Sequence, residues 1–222
     1  LKTPTVTVYY HFLNTEIPKN QFRKLLNQLP LVWQKRIPKY VRYQDRHLGL
    51  VGKLMLKKAF QDFGLEEKAV NQIRENEFGK PELNRAYNST IKFNISHSHK
   101  LVVLAISQDC QFLGIDTEFI KALDWEMLKG NFSDSELSQI RNSQNPTEKF
   151  YEFWAKKESY MKADGRGLSL EPIKIFLNGN SITDSENKLK LFIQNHDLSE
   201  YYQTYICCEH SFLSVRVAHF EV

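Results

Sequence analysis

Two long helical patterns with short, branched, apolar runs between them limit the architectures open to this chain more than any other feature. Leu48 to Phe63 is rich in Leu, Met, Lys and Ala and ends at Gly64, a residue suited to the left-handed conformation that closes a helix. Pro146 and Thr147 open a second helix, with Phe150, Phe153, Trp154 and Met161 along one stripe until Gly165 and Gly167 stop it. Between them, Ile91 to Ile95 and Leu101 to Ser107 predict two strands joined by a polar loop, Ser96-His97-Ser98-His99-Lys100. Asp109-Cys110 then punctuates, and Phe112 to Asp116 gives a third strand. No stretch of about 18 apolar residues is present to span a membrane.

The flanks repeat the mixture. Val6, Val8, Tyr10 and Phe12 alternate at strand period. Phe22, Leu25, Leu26 and Leu29 recur at helical spacing up to Pro30, with Asn20 placed to cap the start. Ser133 with Glu136 is a capping-box signature ahead of Leu137 and Ile140. Strand-like runs follow at Ile173 to Leu177, Lys190 to Ile193, Tyr201 to Cys207 and Phe212 to Val217. Both sides of Asp109 thus combine strands and helices, which predicts an α+β architecture of two closely packed halves, residues 1–109 and 110–222, acting as one unit.

At 222 residues, 41% hydrophobic and 25% charged, the chain reads as a globular domain with a sizeable core. A formal charge of +4 suits an anionic ligand or an acidic protein surface without selecting between them. Of three cysteines, Cys207 and Cys208 are adjacent, which argues against a structural disulfide or zinc site and for a reducing, cytoplasmic setting. Leu1 to Leu13 lack the basic start and apolar core of an export signal. A monomer is expected, with neither membrane nor nucleic acid as a partner.

Several residues carry chemistry. Asp116 and Glu118 lie two apart on a predicted strand, so both carboxylates share a face and can meet one cation; an exposed acidic pair at a strand end is the plainer alternative. Glu158 and Lys162 lie four apart on the face of Trp154, which fits either a surface ion pair or a site turned toward protein. Ser96, His97 and Ser98 offer an imidazole and hydroxyls to a phosphate, and Lys80 in Gly79-Lys80-Pro81 sets a cation on a stiff turn. Lys35, Arg36, Lys39, Arg42 and Arg46 form a basic cluster interleaved with Tyr40 and Tyr43, readable equally as a solvated helix face. Gly49 to Leu54 has the wrong spacing for a nucleotide-binding P-loop.

Gly79-Lys80-Pro81, Phe93-Asn94-Ile95-Ser96-His97-Ser98, Gly114-Ile115-Asp116-Thr117-Glu118 and Phe153-Trp154-Ala155-Lys156-Lys157-Glu158-Ser159 with Lys162, Gly165, Gly167 and Leu168 resemble, in order, the motifs of the Sfp-type 4′-phosphopantetheinyl transferases. The resemblance implies a pseudo-dimer with a coenzyme A site in the cleft between its halves. It implies a magnesium ion, with manganese as an alternative, held by Asp116, Glu118 and Glu158. His97, Ser96 and Lys80 would contact the 3′-phospho-ADP portion. Lys162 would stabilise or protonate the leaving phosphate, and Glu158 or Glu136 would deprotonate a serine of an apo acyl or peptidyl carrier protein. The chain departs from the family in placing Leu48 where a coenzyme-binding arginine would stand; Arg46 or His47 takes over that contact on this reading, with Lys39 nearby. Two rival readings are a magnesium-dependent phosphoanhydride hydrolase and a silent module that binds coenzyme A or a carrier.

Overall fold

A computed structural model describes residues 3–222 apart from Ser89, Asp124, Asn187, Lys188 and Phe212, and Met127 by its backbone only. Expectations resting on Leu1, Lys2 and Phe212 lie outside the described residues. Strand β1 (Thr5–Phe12) is followed by the short helices α1 (Lys19–Leu26) and α2 (Leu31–Arg36) and by the long α3 (Tyr43–Asp62). A small hairpin, β2 (Ile73–Glu75) and β3 (Pro81–Leu83), precedes β4 (Lys92–Ser98), β5 (Leu101–Ser107) and β6 (Leu113–Phe119). Next come α4 (Asp134–Arg141), α5 (Pro146–Asp164), β7 (Ile175–Asn178), β8 (Ser181–Asp184), β9 (Leu191–Asn195), β10 (Tyr202–Cys208) and β11 (Ser214–His219).

Two sheets organise these elements, one in the order β11-β1-β5-β4 and the other β6-β10-β9-β8-β7. The last strand therefore returns to the first sheet, where it runs parallel to β1. Strand β5 is buried throughout because both of its faces are covered. Val102, Leu104 and Ile106 join the core beneath α3, with Leu50, Met55 and Phe60. Leu101, Val103 and Ala105 face the second sheet, where they meet Leu113, Ile115 and Ile206. On the far side of the second sheet, Ala155, Tyr160 and Met161 of α5 pack on Ile193 and Cys207. Each half is thus a sheet carrying one long helix, and the α+β pseudo-dimer expected from the sequence is the architecture found.

Two local expectations are corrected, and three strands are added. Ser96 to Ser98 are not a loop: they extend β4, and the turn is confined to His99 and Lys100, with His99 at φ 51°. The first helix starts at Lys19 with Pro18 as its N-cap, so Asn20 sits inside it and caps nothing beyond the adjacent Gln21 amide. The strands β2, β3 and β8 are too short and polar to register as periodic runs. The capping box at Ser133 and Glu136 forms as read, and Gly165 ends α5 in the left-handed conformation at φ 100°.

Gly114 fixes how closely α5 approaches β6. A Cβ there would lie 2.0 Å from the Ser159 carbonyl oxygen and 2.5 Å from the Ala163 amide nitrogen, both backbone atoms that cannot move aside alone. Gly114→Ala should therefore lower the unfolding free energy in urea by about 3 kcal/mol or more, at or beyond the upper end for overpacking. Stability within about 0.5 kcal/mol of the parent, the scale of an inconsequential surface change, would contradict this packing.

Candidate active site

Strand β4 meets β6 through side chains instead of a backbone ladder. Alternate residues of β4 share one face, and each accepts from an alternate amide of β6. Asn94 Oδ1 takes the Ile115 N–H at 2.9 Å, Ser96 Oγ the Thr117 N–H at 3.4 Å and Ser98 Oγ the Phe119 N–H at 3.1 Å. The other edge of β6 is already paired with β10, so these contacts satisfy amides that burial would otherwise leave orphaned. Having accepted, both hydroxyls donate onward: Ser96 Oγ to Asp116 Oδ1 at 2.8 Å and Ser98 Oγ to Glu118 Oε2 at 3.0 Å. Thr117 points away from the acids and its hydroxyl meets that of Thr204 at 2.8 Å.

The close approach at Gly114 brings the Glu158 and Lys162 face of α5 over the same strand. Lys162 Nζ donates to Asp116 Oδ1 at 2.5 Å and to Ser96 Oγ at 2.9 Å, and lies 3.8 Å from Glu158 Oε2. The i,i+4 surface pair that the spacing also allowed is thus subordinate to a contact across the cleft. Asp116 is buried, while Glu118, Glu158 and Lys162 are half-buried. Burial first, and then the charge of Asp116, raises the pKa of both Glu118, to about 7, and Glu158. Burial works against the charge on Lys162, but Asp116 and Glu158 more than offset it and hold its pKa above the ordinary value. One ammonium among these carboxylates leaves negative charge uncompensated, and Asp116 Oδ2 is buried without a hydrogen-bond partner among the described residues. A hard cation would satisfy both conditions.

Elsewhere, the ligand atoms of Cys110, Cys208 and Glu209 lie within 4.8 Å of one another, a closeness that Asp116, Glu118 and Glu158 do not reach. Its chemistry differs. The hydrogen-bonded Cys208 thiol and then burial push the Cys110 thiol upward, and Glu209 accepts from the Gln111 and Phe112 amides.

Other residues singled out from the sequence are placed apart from the acids. Glu136 caps α4 and pairs with Lys157 at 2.8 Å, whose fully buried ammonium also donates to the carbonyls of Asn131 and Pro172. Lys80 reaches across the seam to the carbonyls of Ala163 (3.1 Å) and Leu113 (3.4 Å), and burial pushes its pKa down to about 8. It lines an 830 Å³ cavity along that seam, which contains none of the acids. Arg46 Nε donates to the Tyr40 carbonyl, and His47 is buried with Nδ1 accepting from the Ile17 amide. Lys39 is exposed at the end of a short 3-10 turn. His97 is accessible at the rim of a 180 Å³ cavity. The surrounding protein first, and then Lys162, keeps its imidazole pKa below the ordinary value. The sequence assigns Asn94 no task and offers the Ser98 hydroxyl to a phosphate; the alternation of both with Ser96 inside an apolar strand is the signal of their shared role toward β6.

Residues 17–109 match the family model described as 4′-phosphopantetheinyl transferase, N-terminal, and residues 112–210 match that of the 4′-phosphopantetheinyl transferase superfamily. The chain is 31% identical over 201 residues to 4′-phosphopantetheinyl transferase gsp of Aneurinibacillus migulanus, covering 86% of this chain and 81% of that protein. It is 25% identical over 213 residues to 4′-phosphopantetheinyl transferase Sfp of Bacillus subtilis (strain 168), covering 91% and 92% respectively. The chain belongs to the 4′-phosphopantetheinyl transferase superfamily and is of the Sfp type. Coenzyme A is the substrate of that family.

The raised Glu118 pKa has a measurable consequence. In protein free of divalent metal, the folded state holds the Glu118 proton up to about pH 7, whereas the unfolded chain releases it near 4.5. Stability should then fall as pH rises between those values, because the unfolded state binds fewer protons there. Urea titrations in a chelating buffer should show that decline, and Glu118→Gln should flatten it. An identical slope in the variant would show that Glu118 is not strained by its neighbours.

Proposed function

We propose that the chain transfers the 4′-phosphopantetheine arm of coenzyme A to a serine of an apo acyl or peptidyl carrier protein, releasing 3′,5′-ADP. The serine oxygen forms a bond to the β-phosphorus, the bond from that phosphorus to the bridging oxygen breaks, and the serine proton passes to a base. The observation that carries the reading is the convergence of Asp116, Glu118, Glu158 and Lys162 on one patch of the seam, in a chain of this superfamily. Asp116, Glu118 and Glu158 would hold magnesium, or manganese in its place, whose contribution is neutralisation of the diphosphate. The unpartnered Asp116 Oδ2 supports that donor set.

Lys162 would stabilise charge on the departing 3′,5′-ADP, a role supported by its contact with Asp116 at the site. Of the two candidate bases, Glu158 stands at the site with a raised pKa, which suits proton acceptance near neutral pH, whereas Glu136 is engaged by Lys157. His97 would face the coenzyme, Ser96 on the opposite face of β4 would act through Asp116 and Lys162, Lys80 lines the seam, and Lys39 and Arg46 stand on the basic segment ahead of and opening α3. The halves divide at residues 1–109 and 110–222, with β11 lent back to the first sheet. The protein works as a monomer in the cytoplasm, a setting consistent with its three unpaired cysteines and with the lack, among the described residues, of a helix long and apolar enough to cross a membrane.

Incubation with coenzyme A, magnesium and a panel of apo carrier proteins should add one phosphopantetheine mass to a carrier serine, read by intact mass. Asp116→Ala and Glu158→Ala should each cut the labelling rate by at least about 100-fold, the scale of losing a group that stabilises transition-state charge. Release of 3′,5′-ADP without labelled carrier would point to hydrolysis, and coenzyme A binding with neither product would point to a silent module.

A further inference from the structure

Lys53 stands out among the lysines of α3. Its neighbours Lys57 and Lys58 pair with Glu67 and Asp62, but among the described residues Lys53 takes part in no ion pair and donates no hydrogen bond. Its ammonium instead lies 5.0 Å from the centroid of the Trp33 ring. Burial, with a smaller push from Arg36, lowers its pKa to about 8, and the nearby Glu75 is held by Arg36 at 2.5 Å. A partly desolvated cation that forms no ion pair is costly to keep, and such groups concentrate where a ligand supplies the missing partner.

The space around it fits an anion. Lys53 lines two adjoining cavities, of 180 Å³ and 560 Å³, that share Tyr40 and Pro81. His97 opens onto the smaller one, and the charge of Lys53 is among the influences on its imidazole. Gly49 sits one turn before Lys53 and lets the Tyr40 ring lie close on α3 at the edge of both cavities, since a Cβ there would be 2.8 Å from that ring. None of Asp116, Glu118 and Glu158 lines either cavity, so an anion bound here does not face the acids directly.

The alternatives are occupied. Arg46 is committed to the Tyr40 carbonyl, His47 is buried against the Ile17 amide, and Leu48 is a buried apolar residue. We infer that Lys53 is the residue that supplies the cation missing at Leu48, binding the 3′-phosphate of coenzyme A in the cavity it shares with His97 and Tyr40. This rests on the transferase reading. The phosphomonoester is assigned because the diphosphate belongs with the acids and Lys162.

Calorimetric titration with coenzyme A and with dephospho-coenzyme A separates the possibilities, using the parent protein, Lys53→Met and Lys53→Arg. Lys53→Met should weaken coenzyme A by about 10- to 100-fold, the range for losing a hydrogen bond to a charged group, and leave dephospho-coenzyme A within about twofold, a few tenths of a kcal/mol. Lys53→Arg should recover most of the loss. Equal weakening of both ligands, or of neither, overturns the assignment while leaving the transferase reading intact. Failure of the parent protein to bind coenzyme A at all would remove the transferase reading and this assignment with it.

Discussion

The junction between the two sheets is made by Asn94, Ser96 and Ser98, which stand in for a missing strand partner by accepting the amides of Ile115, Thr117 and Phe119. A backbone ladder would have filled the space between β4 and β6 with carbonyls and amides already spent on each other. Side-chain oxygens set the strands farther apart and leave hydroxyl hydrogens free, and two of these are aimed at Asp116 and Glu118. One set of contacts therefore joins the halves, satisfies a buried sheet edge and orients the acids. The second constraint is Gly114, whose missing side chain lets α5 lie on β6 so that Lys162 reaches Asp116.

The electrostatics of the site run against stability. Burial and then the charge of Asp116 raise the pKa of Glu118 and Glu158, and a single lysine does not balance the three carboxylates. Like charges gathered in a partly desolvated cleft cost folding free energy, offset here by the apolar contact of the two sheets through Val6, Val8, Leu101, Val103, Leu113, Ile115 and Ile206. Such a division, strain at the seam and surplus packing behind it, suits the cation and polyanion proposed for the site. A related imbalance lies beside His97, where the half-buried Lys53 makes no ion pair among the described residues. The two unbalanced patches carry opposite signs, matching a ligand that brings both metal-bound and free phosphates.

Much of this was legible in the residues. The stripe from Phe150 to Met161 and the glycine stop at Gly165 gave α5 its place, and the Asp-Thr-Glu alternation put both acids on one face. What failed was the reading of Ser96-His97-Ser98 as a loop, because polarity normally marks a turn; here the polar side chains serve a neighbouring strand, a tertiary fact invisible to local pattern. The surroundings of Glu136 were equally hidden: its motif position suggests a base, and the structure gives one of its carboxylate oxygens to a capping box and the buried Lys157, a burial that could not be inferred from a lysine-rich helix. Lys53 went unnoticed because an unpaired lysine is identified only once its surroundings are known.

The central claim is that the seam between β4 and β6 forms a cation site for a phosphate-bearing substrate. Anomalous diffraction from crystals grown with manganese and coenzyme A tests it most directly. A single strong peak with Asp116, Glu118 and Glu158 around it, and the coenzyme's diphosphate alongside, is the predicted result. A peak at Cys110, Cys208 and Glu209, or coenzyme bound away from the seam with no metal at the acids, would contradict the account.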